Sequence, residues 1–210
     1  MIRERGMNSV KVGDKSIYPS KVICVGRNYL EHIKELNNSV PDEMVVFNKP
    51  SSSISSQLIS HHGETLHYEG EICFIVREGQ LNAVGLGLDL TKRELQSKLK
   101  NKGLPWERAK AFDGSAVFSR FISLDGIAIE SLEIELFINC VRVQKGAVTQ
   151  MMYPPYTILE ELRTYTTLND GDIVMTGTPQ GVGEVHTGDV FLGRLKAEGK
   201  TLIEIEWLAQ

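Results

Sequence analysis

The sequence predicts an α+β fold that is mainly β, with a few short helices. Short β-branched or alternating apolar runs recur along the chain, at residues 21–25, 71–76, 82–90, 133–139 and 201–207. Runs with a helical period are few and do not alternate regularly with the strands, which argues against a doubly wound parallel sheet. No repeat or proline-rich linker divides the 210 residues. We therefore expect one domain over residues 1–210, with residues 1–19 as an N-terminal extension or strand.

The first predicted elements are a strand and a short helix. Residues 21–25 form a β-branched run that is closed by Gly26, which predicts a buried strand that turns at the glycine. Asn28 is a suitable cap for the helix that follows, because apolar residues then recur at every third position. Residues 44–47 predict another short strand, and residues 51–56 predict a serine-rich loop.

A hairpin and two further helices follow along the chain. Residues 71–76 and 82–90 predict paired strands. Thr91 and Glu94 have the spacing of a capping box, in which each side chain bonds a free backbone amide at the start of a helix. Two prolines, Pro154 and Pro155, introduce the last helix. Its predicted core stripe consists of Ile158, Leu159, Leu162 and Tyr165.

The composition favours a protein that binds small molecules. Its 41% hydrophobic and 24% charged residues are average for a globular protein. The net charge of −4 is spread without long runs of one sign, so we expect neither nucleic acid nor a membrane as a partner. Cys24, Cys73 and Cys140 lack the C-x-x-C spacing of zinc or redox sites and are expected to be buried, reduced thiols. Without a signal-like or membrane-spanning apolar run, a cytoplasmic protein is expected.

Three acidic residues at the ends of two predicted core strands are the main candidates for chemistry. Glu69 and Glu71 stand two apart, so in an extended strand their side chains point to the same face. Asp89 ends the other apolar run, so the three carboxylates meet if the two strands are neighbours. Carboxylates so near to one another must be partly protonated, paired with cationic side chains or bound to a divalent cation. A solvated acidic edge without a ligand is the simpler alternative to such a site. Oxygen ligands favour magnesium or manganese over zinc. Three nearby histidines are assigned to the surface or to packing: His61, His62 and His67.

Six segments, in order along the chain, carry the motifs of one family. They are GRNY at 26–29 with EH at 31–32, NKPS at 48–51, HYEGE at 67–71, DLTKRELQ at 89–96, WERAKAFD at 106–113 and TGTPQGVG at 176–183. Together they resemble the fumarylacetoacetate hydrolase family, and most closely its short, single-domain acylpyruvase and oxaloacetate decarboxylase branch. The resemblance runs from about residue 20 to the C terminus. It implies a mixed β-roll or sandwich with a few short peripheral helices.

The resemblance also implies roles for ten residues. The implied ligands of Mg²⁺ or Mn²⁺, with Ca²⁺ as an alternative occupant in crystals, are Glu69, Glu71 and Asp89. The implied catalytic residues are His32, Glu35 and Lys110: the glutamate orients an imidazole on a mobile lid helix, and the lysine polarises a substrate oxygen. The implied substrate-binding residues are Arg27, Arg93, Gln96 and Thr178. The spacing of His32 and Glu35 supports the lid pair independently, because side chains three apart on a helix are neighbours. A homodimer paired through the β core is also implied.

The function implied by the resemblance is metal-dependent hydrolysis of acylpyruvates, 2,4-dioxo acids such as fumarylpyruvate or acetylpyruvate, to pyruvate and a carboxylic acid. Stabilisation of an enolate would equally suit oxaloacetate decarboxylation or tautomerisation, which need no attacking water. A non-catalytic, metal-dependent dicarboxylate-binding protein is the alternative from another class, and it would have no need of the His32–Glu35 pair. Asn48 stands where the family has an apolar residue. With the serine-rich loop at residues 51–60, it predicts a polar pocket wall and a small, polar substrate.

Overall fold

The computed structural model describes residues 8–210, and residues 1–7, the start of the predicted N-terminal extension, lie outside the described residues. The helices are α1 (Leu30–Glu35), α2 (Arg93–Asn101), α3 (Glu107–Lys110) and α4 (Pro155–Arg163). The strands are β1 (Val10–Val12), β2 (Lys15–Ile17), β3 (Lys21–Gly26), β4 (Val45–Pro50), β5 (Ile54–Ser55), β6 (His67–Tyr68), β7 (Gly70–Arg77), β8 (Gln80–Asp89), β9 (Ala116–Phe118), β10 (Ile122–Ser123), β11 (Leu132–Ile138), β12 (Val141–Ala147), β13 (Ile173–Met175), β14 (Gly183–Glu184), β15 (Val190–Ala197) and β16 (Lys200–Leu208). Three 3-10 turns occupy Ser51–Ser53, Ile129–Ser131 and Val148–Gln150.

The predicted mainly-β architecture is confirmed. The larger sheet has eight strands in the order β4-β3-β13-β7-β8-β9-β5, with β10 paired to β8. The second sheet has four antiparallel strands in the order β12-β11-β15-β16. In the larger sheet, β13 is parallel to β3 and antiparallel to β7. The sheet is therefore mixed and not doubly wound, as the irregular order of helices and strands predicted.

Strands β7 and β8 form the antiparallel hairpin that the sequence predicted. Gly70 pairs with Leu88 across the hairpin. Asp89, the next residue of β8, lies across from Glu69, and its backbone N–H donates to the Glu69 carbonyl at 2.9 Å. The register therefore brings acidic residues of both strands to the same end of the hairpin.

Side chains of the larger sheet alternate between two faces, as the two-residue period of a strand requires. On β7, Ile72 and Phe74 join a core cluster that includes Phe191 of the four-stranded sheet. The residues between and after them, Cys73 and Ile75, join a second cluster with side chains of β3 and β13. Each face of β7 is thus buried, which explains why its sequence is almost continuously apolar.

Helix α4 covers part of the larger sheet. Its buried apolar side chains are Ile158, Leu159 and Leu162. They belong to one cluster with Ile23 and Val25 of β3. The prediction that Tyr165 continues this stripe is wrong: Tyr165 is 57% exposed, because the helix ends at Arg163.

The predicted cap of α1 is also wrong. Tyr29 occupies the cap position and makes no side-chain cap bond. Asn28 is completely buried, and its Nδ2 donates to the carbonyls of Tyr153 at 3.0 Å and Thr176 at 2.8 Å. Its Oδ1 accepts the N–H of Tyr153 at 2.7 Å. Because these partners lie far along the chain, the Asn28 side chain holds the segments around Tyr153 and Thr176 together and does not cap a helix.

The predicted capping box of α2 is not formed. Lys92 is the cap residue, and no side-chain cap bond is present. The Thr91 hydroxyl donates to the Asp89 carbonyl at 3.3 Å and accepts from Lys110 Nζ at 2.6 Å. The buried lysine therefore uses the hydroxyl that the local pattern assigned to the helix start.

The three cysteines are free thiols, and two of them match the prediction. Cys24 and Cys73 are buried. Cys140 is exposed, in contrast to the prediction, because it lies in the turn between β11 and β12, where its φ is 69°.

The helices are short. The longest, α2 and α4, have nine residues each. Within residues 8–210, no helix has the length and apolar character needed to cross a membrane.

Candidate metal centre and active site

Three carboxylates converge at one end of the β7–β8 hairpin. Glu69 precedes β7, Glu71 lies within it, and Asp89 ends β8. One carboxylate oxygen from each residue lies within 4.8 Å of the others, and all three residues are buried. Two features of the chain produce this arrangement: residues two apart on a strand share a face, and the hairpin register places Asp89 across from Glu69.

Glu69 and Asp89 are held by cationic side chains. Lys110, at the end of α3, donates from Nζ to Glu69 Oε2 at 2.8 Å and to Asp89 Oδ2 at 2.7 Å. Arg93, at the start of α2, donates from Nη2 to Glu69 Oε1 at 2.5 Å. Burial alone would lower the pKa of Lys110, but Asp89 and Glu69 raise it above its usual value. Lys110 is therefore a fixed positive charge in the site.

Lys49 is a second buried lysine at the site, and the sequence motifs did not predict a role for it. Its side chain is completely buried, with Nζ 2.8 Å from Asp89 Oδ1. The same ammonium donates to Ser115 Oγ at 3.0 Å, to the Ser115 carbonyl at 3.1 Å and to the Lys110 carbonyl. The alternation of β4 could have indicated it, because Lys49 lies two residues after Phe47, whose ring faces the site.

Glu71 differs from the other two carboxylates because, within residues 8–210, no cationic side chain pairs with it. Its Oε2 accepts the N–H of Gly177 at 2.8 Å. Burial, together with the nearby Asp89 and Glu69, raises the pKa of Glu71 well above its usual range. Burial would also raise the pKa of Glu69, but the cations around that carboxyl hold it well below its usual value.

The donor set fits a hard divalent cation. Three carboxylate oxygens in one small volume are typical ligands of magnesium or manganese, and a cation there would compensate the repulsion that Glu71 experiences. Zinc would favour histidine or cysteine ligands, which this cluster lacks. In the described part of the chain, no other group of three potential ligands lies so close together.

The predicted lid pair is in contact. His32 and Glu35 both lie on α1, and His32 Nδ1 is 3.1 Å from Glu35 Oε2. Glu35 Oε1 accepts the N–H of Gly181 at 2.9 Å, so the glutamate links α1 to the loop before β14. With Nδ1 engaged by Glu35, Nε2 is the ring nitrogen available for proton transfer.

Nine of the ten predicted site residues line one cleft, and the tenth, Glu35, bonds to His32. Arg93 Nη1 donates to Gln96 Oε1 at 2.9 Å, so these side chains share a face of α2. Thr178 Oγ1 donates to the Gly70 carbonyl at 2.9 Å and accepts from Gln144 Nε2 at 2.8 Å. The Thr178 proton is therefore already used within the protein, and a hydrogen bond from it to substrate stays a prediction.

The cleft is narrow, and one wall is aromatic. It encloses about 30 Å³, which suits a water molecule or two but not a four-carbon acid. Phe47 and Trp106 line it, with ring centroids 6.0 Å apart. The predicted polar wall is wrong: Asn48 is exposed, and neither it nor residues 51–60 line the cleft. Strand alternation turns Asn48 outward between two inward-facing neighbours.

Comparisons with known proteins agree with this fold. The family model described as fumarylacetoacetate (FAA) hydrolase C-terminal matches residues 21–202. The chain is 36% identical over 191 residues to an oxaloacetate tautomerase of Escherichia coli (strain K12), covering 82% of this chain and 87% of the relative. It is 35% identical over 217 residues to a mitochondrial oxaloacetate tautomerase of Saccharomyces cerevisiae, covering 80% of this chain and 84% of the relative.

A solved structure is also similar over the whole chain. It is a fumarylpyruvate hydrolase from Pseudomonas aeruginosa in complex with Mn²⁺ and pyruvate, with a TM-score of 0.88 and 27% sequence identity. The match covers 100% of this chain and 98% of that one. The ordered motifs, the mixed sheet and these matches lead to one conclusion: the chain is an enzyme that belongs to the fumarylacetoacetate hydrolase family.

Proposed function

We propose that the protein catalyses the keto–enol tautomerisation of oxaloacetate, with Mg²⁺ or Mn²⁺ bound by Glu69, Glu71 and Asp89. The observation that carries this proposal is the convergence of three buried carboxylates within 4.8 Å, in a cleft that also contains His32 and Lys110. Two relatives are named oxaloacetate tautomerases, and the similar fumarylpyruvate hydrolase was solved with Mn²⁺ and a 2-oxo acid. These names favour tautomerisation over acylpyruvate hydrolysis, the function expected first from the sequence.

Tautomerisation moves one proton between C3 and the oxygen on C2, through an enolate. A divalent cation held by the three carboxylates would supply Lewis-acid stabilisation of the enolate charge. Lys110 adds a fixed positive charge in the same cleft, and such preorganised charge acts most strongly where water is excluded. His32 accepts the C3 proton and returns it to the C2 oxygen, while Glu35 orients the ring through the 3.1 Å contact to Nδ1.

Helix α2 supplies the groups for the carboxylate next to the oxo group. Arg93 Nε is buried and, in the described chain, has no hydrogen-bond partner. A guanidinium donor left unused in a cleft suits a carboxylate ligand. Gln96 holds Nη1 of the same guanidinium at 2.9 Å and fixes its plane.

Substrate entry requires movement of α1. The cleft of about 30 Å³ is too small for oxaloacetate, and His32 forms part of its lining. Opening the helix would break the bond between Glu35 and the Gly181 N–H. That bond then forms again when the lid closes over the substrate and excludes water.

Hydrolysis of an acylpyruvate is the second candidate. The contact between His32 and Glu35 favours it, because a carboxylate-supported imidazole also activates water. In that reaction, water attacks the C4 carbonyl, and the C3–C4 bond breaks to leave the enolate of pyruvate. The similar fumarylpyruvate hydrolase from Pseudomonas aeruginosa supports this candidate.

An absorbance assay with Mg²⁺ or Mn²⁺ separates the two candidates. The protein should accelerate equilibration of the enol and keto forms of oxaloacetate and should leave acetylpyruvate and fumarylpyruvate intact. His32→Ala should abolish this activity and retain Mn²⁺ binding, whereas Glu71→Ala should lose both. Lys34→Ala is the matched control, because Lys34 is on the same helix with its side chain 69% exposed. Cleavage of an acylpyruvate without oxaloacetate equilibration would replace the proposal by the second candidate, and no activity on either would reject it.

A further inference from the structure

Two cations on the cleft wall have no carboxylate partner. Arg27 and Lys100 line the same cleft as the carboxylate cluster. Arg93 and Lys110 pair with Glu69, but neither Arg27 nor Lys100 forms an ion pair with any residue between 8 and 210. Cations that line a narrow cleft and have no ion-pair partner of their own indicate an anionic ligand.

Lys100 extends the line of substrate groups on α2. It lies four residues after Gln96 and seven after Arg93, so the three side chains share one face of the helix. Its Nζ lies 4.7 Å from the centroid of the Trp106 ring, and this cation–π contact holds the ammonium at the cleft. Burial, followed by the charges of Arg27 and Arg93, lowers the pKa of Lys100 to about 8.

Arg27 lines the cleft from a different part of the chain, directly after β3. Its Nε is buried and has no hydrogen-bond partner within the described residues. Its Nη2 donates to Asn38 Oδ1 at 3.4 Å, which places the guanidinium beside the segment that follows α1. The backbone of Arg27 has a φ of 56°, a left-handed conformation that is uncommon for a residue with a side chain. A buried unused donor on a strained residue is a second, independent indication of a ligand.

Building on the proposed function, we propose that Arg27 and Lys100 bind the second carboxylate of a four-carbon 2-oxo diacid. Arg93 and Gln96 then take the carboxylate next to the oxo group, and the acid lies between these two side chains and the cations Arg27 and Lys100. A substrate with a methyl or an uncharged acyl group at this end would leave two partly desolvated cations unpaired, which disfavours it. The subsite thus selects diacids over simple acylpyruvates, and Lys100 is its specificity-determining residue.

Two stable ligands test the subsite without turnover. Malate and 2-hydroxybutanoate differ only in a carboxylate or a methyl group at C4, and neither tautomerises. In calorimetric titrations of the Mg²⁺-loaded protein, malate should bind about 10–100-fold more tightly, as expected for a charge-assisted contact. Lys100→Met should remove most of this preference and leave 2-hydroxybutanoate binding within about twofold of the parent value. Lys98→Met is the matched control on the same helix, since Lys98 is exposed, and should retain the full preference.

Three outcomes would overturn the subsite: no malate binding, no malate preference in the parent, or an equal loss of both ligands in Lys100→Met. Circular dichroism shows whether each variant folds. If Lys100→Met does not fold, Lys100→Gln takes its place, and Lys100→Arg should retain the preference.

Exchange of C3 protons in D₂O, followed by NMR, separates this inference from the proposed function. The parent should exchange oxaloacetate with a kcat/KM about 10–100-fold above that for 2-oxobutanoate, which lacks the second carboxylate. Malate preference without C3 exchange would reject the tautomerase proposal and leave the subsite standing. Equal exchange of both acids would overturn the subsite and leave the tautomerase proposal standing.

Discussion

Replacing Lys49 by methionine should destabilise the metal-free protein by about 3–5 kcal/mol. The Lys49 ammonium is completely buried and lies 2.8 Å from Asp89 Oδ1. It also donates to both oxygens of Ser115 and to the Lys110 carbonyl. Methionine has a similar length, so the loss concerns the charge and its hydrogen bonds, not the volume. Replacing Lys49 leaves the buried Asp89 with Lys110 as its one cationic partner in the described residues and breaks the buried hydrogen bonds that Lys49 donates. Unbalancing a buried charge network in this way is the costly case.

Thermal and urea unfolding measure this cost. For a chain of this length, each kcal/mol lowers Tm by about 2–4 °C, so Tm should fall by about 6–20 °C. Mn²⁺ affinity, measured by calorimetry, should weaken about 10–100-fold, because Asp89 loses a side chain that orients it. Lys34→Met is the matched control: its side chain is 69% exposed and paired with Glu31, so the change should stay below about 1 kcal/mol. A Lys49→Met protein within about 1 kcal/mol of the parent would refute the assignment of Lys49 as the buried partner of Asp89.

Three further predictions concern the fold. Burial alone would raise the pKa of Asp172, but hydrogen bonds from Lys21 and Ser20 hold it below its usual value. Asp172→Asn should therefore cost about 2–4 kcal/mol at pH 7. In urea titrations, the difference in unfolding free energy between parent and variant should shrink as the pH falls below about 4 and through the folded-state pKa of Asp172. Protonation of Asp172 then removes the same stabilisation from the parent. A difference that does not change with pH would contradict this prediction. Gly181→Ala should disrupt the loop that bonds Glu35, because a Cβ there would lie 1.9 Å from the Val143 carbonyl at a φ of +99°; an unchanged Tm and activity would be inconsistent with this backbone. We expect a homodimer, and light scattering after size-exclusion chromatography would exclude it by giving a monomer mass near 23.4 kDa.

The parts of the site that depend on local periodicity were predictable from the sequence. Glu69 and Glu71 share a face because a strand repeats every two residues, and Asp89 joins them because a short connection fixes the hairpin register. Parts that depend on distant partners were not predictable. Lys49 bonds Ser115, 66 residues further along the chain, and no local pattern encodes that contact.

The wrong helix caps have the same physical origin. Asn28 and Thr91 have the residue types of helix caps, but their side chains form hydrogen bonds with groups that lie far along the chain. Thr91 instead accepts from a buried ammonium, and a charged donor makes the stronger bond. The aromatic wall was missed for a different reason: the two faces of β4 alternate, and the tertiary fold decides that the face with Phe47, not the one with Asn48, lines the cleft.

The unequal support of the carboxylates predicts that removing their charges has opposite consequences for stability. Asp89 is paired with two buried lysines, so Asp89→Asn should destabilise the metal-free protein by about 3–5 kcal/mol. Among residues 8–210, the Glu71 carboxylate bonds only the Gly177 N–H, which can also donate to the amide oxygen of Glu71→Gln. Since burial and like charges oppose ionisation of Glu71, this variant should unfold within about 1 kcal/mol of the parent or be more stable.

Both variants should lose Mn²⁺ binding in calorimetric titrations, because each replaces one of three anionic carboxylate ligands by a neutral amide. Urea unfolding in the presence of a chelator then measures the stability of the metal-free variants. It distinguishes a carboxylate that serves only as a metal ligand from one that also stabilises the fold. Equal destabilisation by the two variants would mean that Glu71 also serves the metal-free fold. The pattern expected here, a carboxylate retained at a stability cost, is that of a residue kept for binding a cation.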